Sequence, residues 1–289
     1  SILGEGIDGK GRGLMEKLLR IDRRIIFVFV AVAVIVSLLL EFRLPVPPTP
    51  PVENIFSKIE SLPPGAHLLL AFDYDPSSKE ELQPMAIALL HHCYQKNLRV
   101  IGMTLWPGGT GLAEQAVTQV ASQYGKKNGE DYVFLGYKPG VASLIINMGE
   151  DLYTAFPKDF YGNDTSTLPA LKGVESLKDI DYVIDLAAGA TIETWIAFGK
   201  EKYRFEMGAG CTAVIGPDLY PFLDSRQING LMAGLKGAAE YESLVGREAQ
   251  ATEGMRPQSV THVLVIVFIL FSNAVFILSG GLRTVRRGK

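Results

Sequence analysis

The sequence predicts a doubly wound α/β domain held between two transmembrane helices. Three observations carry this. An uncharged apolar run lies near each end, short apolar segments alternate with amphipathic ones between them, and basic residues cluster outside the runs.

Ile25 to Leu40 carry no charge and one polar residue, Ser37; Val263 to Leu278 are interrupted only by Ser272 and Asn273. An apolar stretch with no polar face over four turns does not read as a surface helix of a soluble protein. Extended into their flanks, the runs give predicted spans over 25–44 and 260–280, near the ~20 residues that cross a bilayer. Arg20, Arg23 and Arg24 precede the first, and Arg283, Arg286, Arg287 and Lys289 follow the second. Basic flanks favour the cytoplasmic side, so both termini are expected there, as a tail over 1–24 and a basic tail over 281–289. Glu41-Phe42-Arg43-Leu44-Pro45 offers no small-residue cleavage site, which favours an uncleaved anchor.

The charge is partitioned. Pro45 to Pro257 hold 17 basic and 26 acidic residues, net −9, whereas the ends are net +6. An acidic domain is not expected to seek nucleic acid, and basic tails suit an anionic lipid surface. The expected partners are the lipid bilayer and other membrane subunits or further copies of the chain. Pro45-Val-Pro-Pro-Thr-Pro-Pro51 reads as an extended spacer over 45–52.

Within 53–250 the apolar segments His67–Tyr74, Leu98–Leu105, Tyr132–Gly136, Tyr182–Leu186 and Gly210–Ile215 are too short and too continuously apolar for surface helices. They read as five buried strands. Helical patterns follow over Ser78–Asn97, Gly111–Tyr124 and Thr191–Phe198, and over Asp218–Leu244 as one long helix or two short ones. Strands that alternate with helices imply right-handed crossovers and a mainly parallel sheet. The expected fold is therefore a five-stranded α/β domain, flavodoxin-like or periplasmic-binding-like. Val141–Leu177 fits the alternation less well and reads as a helix plus an irregular insertion. Residues 251–259 read as a polar linker into the second span.

In an open parallel sheet, sites form outside the carboxyl ends of the strands. The candidates there are Asp73 and Asp75 after the first strand, Gly108, Gly109 and Thr110 after the second, and Asp185 in the fourth. Two aspartates two residues apart suit a cation or acid–base work; equally, Asp75 or Ser77 can cap the following helix. The Pro107-Gly-Gly-Thr-Gly111 loop can aim backbone amides at an anion or form a tight turn. It lacks both phosphate-loop and dinucleotide spacing. No histidine falls at a strand end, so no histidine triad or metal ligand set is expected, and nothing in the sequence implies a cofactor. Cys93 and Cys211 lie in apolar segments and read as small buried residues; a disulfide between them is open. Asn163-Asp164-Thr165 matches a short glycosylation acceptor pattern.

A strand followed by Pro-Gly-Gly and a helix resembles part of the membrane-bound signal-peptide-peptidase and Clp-protease fold. That resemblance covers some 20 residues. It implies glycine amides in an oxyanion hole and a serine nucleophile in a later glycine-rich segment. Here the segment is Met207-Gly-Ala-Gly-Cys211-Thr212-Ala213, with no serine.

Small residues recur at Gly230, Gly234 and Ala238. On one helix they permit close packing against the domain's own sheet or against another subunit. Asn273, near the middle of the second apolar run, is expected to turn toward a protein partner. The function expected from the whole is a non-enzymatic, membrane-anchored binding or structural subunit of a larger membrane assembly. The alternatives are a ligand-sensing receptor domain and a membrane-bound hydrolase.

Overall fold

A computed structural model describes residues 22–40 and 45–278. The chain divides into two units, Pro45–Glu253 and a second formed by Ser1–Leu44 with Gly254–Lys289.

The first unit is built on a six-stranded sheet. Its strands are β1 (His67–Asp73), β2 (Arg99–Thr104), β3 (Tyr132–Tyr137), β4 (Tyr182–Ala187), β5 (Met207–Cys211) and β6 (Leu231–Ala233). The order is β3-β2-β1-β4-β5-β6 and every pairing is parallel. The chain winds outward from β1 to β3, returns to the centre, and winds the other way from β4 to β6. The switch point therefore lies between β1 and β4. The expected α/β class and parallel sheet hold, with six strands where the sequence predicts five.

Side-chain alternation divides the core in two. Leu69, Ala71, Ile101, Met103, Val183, Ala187, Met207, Ala209 and Cys211 share one face. It is covered by the helix Val141–Glu150, by a helix over 191–203, and by the insertion over 156–181, with only short helical turns, through Phe156, Leu171 and Val174. Leu68, Leu70, Phe72, Gly102, Ile184 and Leu186 project from the other face. The helices Lys79–Gln95, Thr110–Gln123 and Gly234–Val245 pack there.

Two boundaries differ from the sequence expectation. Pro50 and Pro51 do not extend a polyproline spacer; they open the helix Pro50–Ser61, where proline's fixed φ and missing amide suit the first turn. That helix buries Val52, Ile55 and Ile59 in the domain. A clamp holds its far end: the His92 imidazole lies 2.9 Å from Glu60 Oε1 and 2.7 Å from the Tyr241 hydroxyl. The predicted polar linker 251–259 is helical, because the helix Gln250–Leu278 begins before it. Its free amides are met by the buried Glu242, whose carboxylate accepts from Ala249, Ala251 and Thr252 N–H and from the Thr252 hydroxyl. A carboxylate at a helix N-terminus also opposes the positive end of the helix dipole.

The second unit holds the apolar helices. Gln250–Ile277 is 28 residues long, and its most apolar 18-residue window has mean hydropathy 2.5 and is 6% buried. It is long and apolar enough to cross a membrane. The other helix, Arg23–Leu39, has 17 residues, about 25 Å at 1.5 Å per residue against a hydrocarbon core of ~30 Å. Among the described residues one candidate span is present, not the two expected. Residues 41–44, which would complete the first predicted span, residues 1–21 of the first tail and all of the basic tail over 281–289 lie outside the described residues.

Candidate functional site

β1 ends in Asp73, and β4 carries Asp185 two residues before its end. The register pairs Asp185 with Ala71 and Asp73 with Ala187. Residues paired in register share a face, so both carboxyls point to the same side, offset by two positions across the switch point. On its other flank Asp185 is paired with Ala209 of β5. Alanines on both sides leave this part of the sheet lined by short side chains, and the helix over 191–203 roofs it with Thr191, Ile192 and Trp195.

Asp73 and Asp185 are both fully buried. Asp73 Oδ1 accepts the Leu105 N–H at 2.6 Å, and the Thr104 hydroxyl, which donates to the Phe72 carbonyl at 2.7 Å, stands beside it. Asp73 Oδ2, both oxygens of Asp185 and Thr191 Oγ1 are buried with no hydrogen-bonding partner, and so is Trp195 Nε1. Burial pushes Asp73 above the usual carboxylate range, against the pull of the Leu105 amide. Burial pushes Asp185 well above that range, and the neighbouring Asp73 charge pushes it further. Each group penalises ionisation of the other.

The loop after β2 lies against the end of β1. The amides of Gly109 and Thr110 donate to the carbonyls of Trp106 and Pro107, closing a tight turn. A Cβ on Gly109 would meet Phe72 O at 2.4 Å and Tyr74 O at 2.7 Å, so glycine is required by close approach to β1. Gly108 sits against Asp75, and the Thr110 hydroxyl donates back to the Pro107 carbonyl. These contacts hold the loop as a turn, and the Gly109 and Thr110 amides are engaged within it. Asp75 makes its own turn: Oδ1 accepts the Ser77 amide at 2.9 Å, and the Ser77 hydrogen bonds hold its carboxyl below its usual value. Asp75 therefore leads into the helix Lys79–Gln95 and does not join the Asp73–Asp185 pair.

Residues that the sequence reading did not single out complete the edge. Trp106 is partly exposed and its indole lies over the loop after β4, where a Cβ on Gly189 would come 3.6 Å from the ring. Trp195 opens a π-helical turn, Trp195–Lys200, within the helix over 191–203 that follows β4. Such turns recur at functional sites. Both tryptophans of the chain thus belong to this edge.

Cys211 ends β5 with its thiol pushed up to about 12, chiefly by burial. Cys93 is buried in the helix Lys79–Gln95, and neither cysteine is in a disulfide. Thr165 of the glycosylation pattern is buried, its hydroxyl donating to the Phe156 carbonyl. Among the described residues no histidine stands at the carboxyl edge. His67 starts β1, and His91 and His92 face Tyr124 and Tyr241. No group of three or more His, Cys, Asp or Glu is arranged to hold a metal among the described residues.

The small-residue stripe is not one helix face. Gly230 precedes β6, and a Cβ there would meet Pro51 O at 2.4 Å; Gly234 takes φ 62 at the turn into the next helix; Ala238 is buried on that helix. Gly230 and Ala238 thus pack within the domain. Asn273 is exposed on the apolar helix Gln250–Leu278.

No family model matches the chain, and no curated protein matches it. One solved structure, a trehalose-6-phosphate synthase (OtsA), is similar over 80% of this chain and 46% of that one, at 12% identity and a TM-score of 0.31. The chain thus spans less than half of that enzyme's length, and a likeness this distant carries no argument about activity.

Proposed function

We propose that the chain is a non-enzymatic, membrane-anchored binding or structural subunit of a larger membrane assembly. The helix Gln250–Leu278 carries this reading. From Val263 on it is apolar around its circumference and largely exposed, and it presents Asn273 among apolar residues. An amide facing lipid costs free energy that pairing across a helix interface recovers, typically ~0.6–2 kcal/mol. In this reading the stretch 25–44 is a second span, the acidic domain faces outward, and both termini are cytoplasmic, as the basic flanks favour. The partners are the bilayer and either other membrane subunits or further copies of the chain.

The hydrolase alternative requires an activated nucleophile with a base in reach. The buried, protonated Cys211 does not supply one. The ligand-sensing alternative draws support from Asp73 and Asp185, because open α/β sheets bind ligands at the switch point.

The test is site-directed labelling in intact cells with a membrane-impermeant thiol reagent. Single cysteines at exposed domain positions such as Lys127 are expected to react, and cysteines at Gly4 or Lys289 to be protected until the membrane is opened. The reverse pattern refutes the topology. Replacing Asn273 with Leu is expected to shift the protein to a smaller species in mild detergent, and an unchanged size removes Asn273 from the interface.

A further inference from the structure

We propose that the carboxyl ends of β1 and β4 form a site for one hard divalent cation of the Mg²⁺ or Ca²⁺ class, held by Asp73, Asp185 and Thr191. The observation is an inventory of oxygens. Asp73 Oδ2, both Asp185 oxygens and Thr191 Oγ1 are buried, and none has a hydrogen-bonding partner. Buried polar atoms in folded proteins are nearly always satisfied, and a cluster that is not marks an ion, a water or a functional site. Register places the two carboxyls on one face of adjacent strands. Thr191, 5% exposed, lies on the first turn after β4, and its hydroxyl is near enough to both carboxyls to favour their ionised forms.

The donor chemistry selects the ligand. The set is all oxygen, with no sulfur or imidazole, which suits hard cations and excludes the soft-metal preferences of thiolate sites. Two carboxylates with a hydroxyl fall short of a complete shell. Mg²⁺ commonly keeps several waters and takes only one or two protein carboxylates, and the short side chains Ala71, Ala187 and Ala209 beside the pair are compatible with a hydrated ion. The charge has no other counterweight among the described residues, where neither aspartate takes part in an ion pair. Asp73 Oδ1 is held by the Leu105 amide, which leaves Oδ2 directed to the ion. At the same edge the Trp106 ring lies over Gly189 in the loop after β4. This inference rests on the domain alone and not on the membrane reading.

The test uses the full chain in mild detergent, stripped with chelator and dialysed against Mn²⁺ as a paramagnetic probe. One Mn²⁺ per chain is expected in the bound spectrum, displaced by Mg²⁺ or Ca²⁺ but not by Na⁺ at matched ionic strength. Asp185→Asn and Thr191→Val are each expected to weaken it at least tenfold, and Thr191→Ser to restore it. The intrinsic fluorescence is expected to shift with the same midpoint, because Trp106 lies over the loop after β4 and Trp195 follows Thr191 by one helical turn. Absence of saturable Mn²⁺ binding in the wild type overturns the proposal and leaves a proton-sharing acid pair. Equal binding in Asp185→Asn also overturns it, and assigns the ion to the acidic surface. Should Asp185→Asn fail to fold, the Thr191 pair of variants decides alone.

Discussion

Asp73 and Asp185 project from adjacent parallel strands on the same face of the sheet, two register positions apart, and meet across the point where the winding reverses. The geometry sets two buried acids beside the short side chains of Ala71, Ala187 and Ala209. In chelator, Asp185→Asn is expected to stabilise the full chain by roughly 1 kcal/mol, because an amide donates to the Asp73 carboxylate without adding a second buried acid. Chemical denaturation checks this. A loss of more than that amount would mean the ionised pair is itself stabilising.

Glu242 is expected to be the residue that starts the long apolar helix. It is 2% exposed and takes hydrogen bonds from three backbone amides and one hydroxyl over 249–252. Glu242→Ala removes the cap and leaves those donors unanswered, at a cost of about 1–2 kcal/mol. Hydrogen exchange at Ala249, Ala251 and Thr252 reports it directly. Acceleration at these amides with little change in β1 is the expected pattern, and uniform acceleration would assign Glu242 a global role.

Acid is expected to weaken the helical face that holds Pro50–Ser61. Burial lowers His92 below its usual value, and burial with the nearby Arg247 lowers His91 to about 4. A histidine with a lowered folded pKa takes up its proton more readily when unfolded. Its contribution is therefore present above its unfolded value of ~6.5 and is lost as pH falls below it. Glu60, lowered by its hydrogen bonds to His92 and Lys96, acts in the same direction below its own unfolded value. The wild type minus His91→Gln and wild type minus His92→Gln differences in stability are each expected to shrink between pH 7 and pH 5. Differences that grow toward acid would reverse the sign.

Neither cysteine is expected to react in the folded chain. Both thiols are buried and raised, Cys211 to about 12. The thiolate is the reactive form, so a disulfide-exchange reagent at pH 8 should titrate no thiol until denaturant is added, and then two. Rapid modification of Cys211 in the native protein would reopen the nucleophile reading.

The sheet was legible in sequence wherever bulky apolar side chains filled it, and not where glycine did. The first four strands carry runs such as His67–Asp73 and stand within a residue or two of where the pattern puts them. β5 lies earlier than predicted because Met207-Gly-Ala-Gly-Cys211 has little side-chain bulk. The glycines are there because Tyr182 and Leu186 crowd β5: a Cβ on Gly208 would meet the Tyr182 hydroxyl at 2.3 Å, and one on Gly210 would meet Leu186 at 2.5 Å. β6 has three residues between Gly230 and Gly234, too few to show a period, so the segment reads as helix. Pro50 and Pro51 give the same signal at a helix start as in an extended spacer; the buried Val52, Ile55 and Ile59 decide between them.

The candidate site was half legible. Strand ends nominate Asp73 and Asp185 separately, but their meeting depends on strand order and register. Asp75 lies two residues from Asp73 and yet serves a turn. Thr191 and Trp195 look in sequence like ordinary helix residues. The signal that could have found them is their position in the first turns after a strand that ends next to a buried acid.

The central claim is that this chain works inside a membrane assembly, and the mass of the native particle tests it most directly. Membranes that contain the protein are solubilised in mild detergent, and the intact particle is weighed by native mass spectrometry. The account predicts a particle well above the 31.5 kDa of one chain, built from further copies or other membrane subunits. Recovery of the protein as a single chain, or in the soluble fraction before detergent is added, contradicts it.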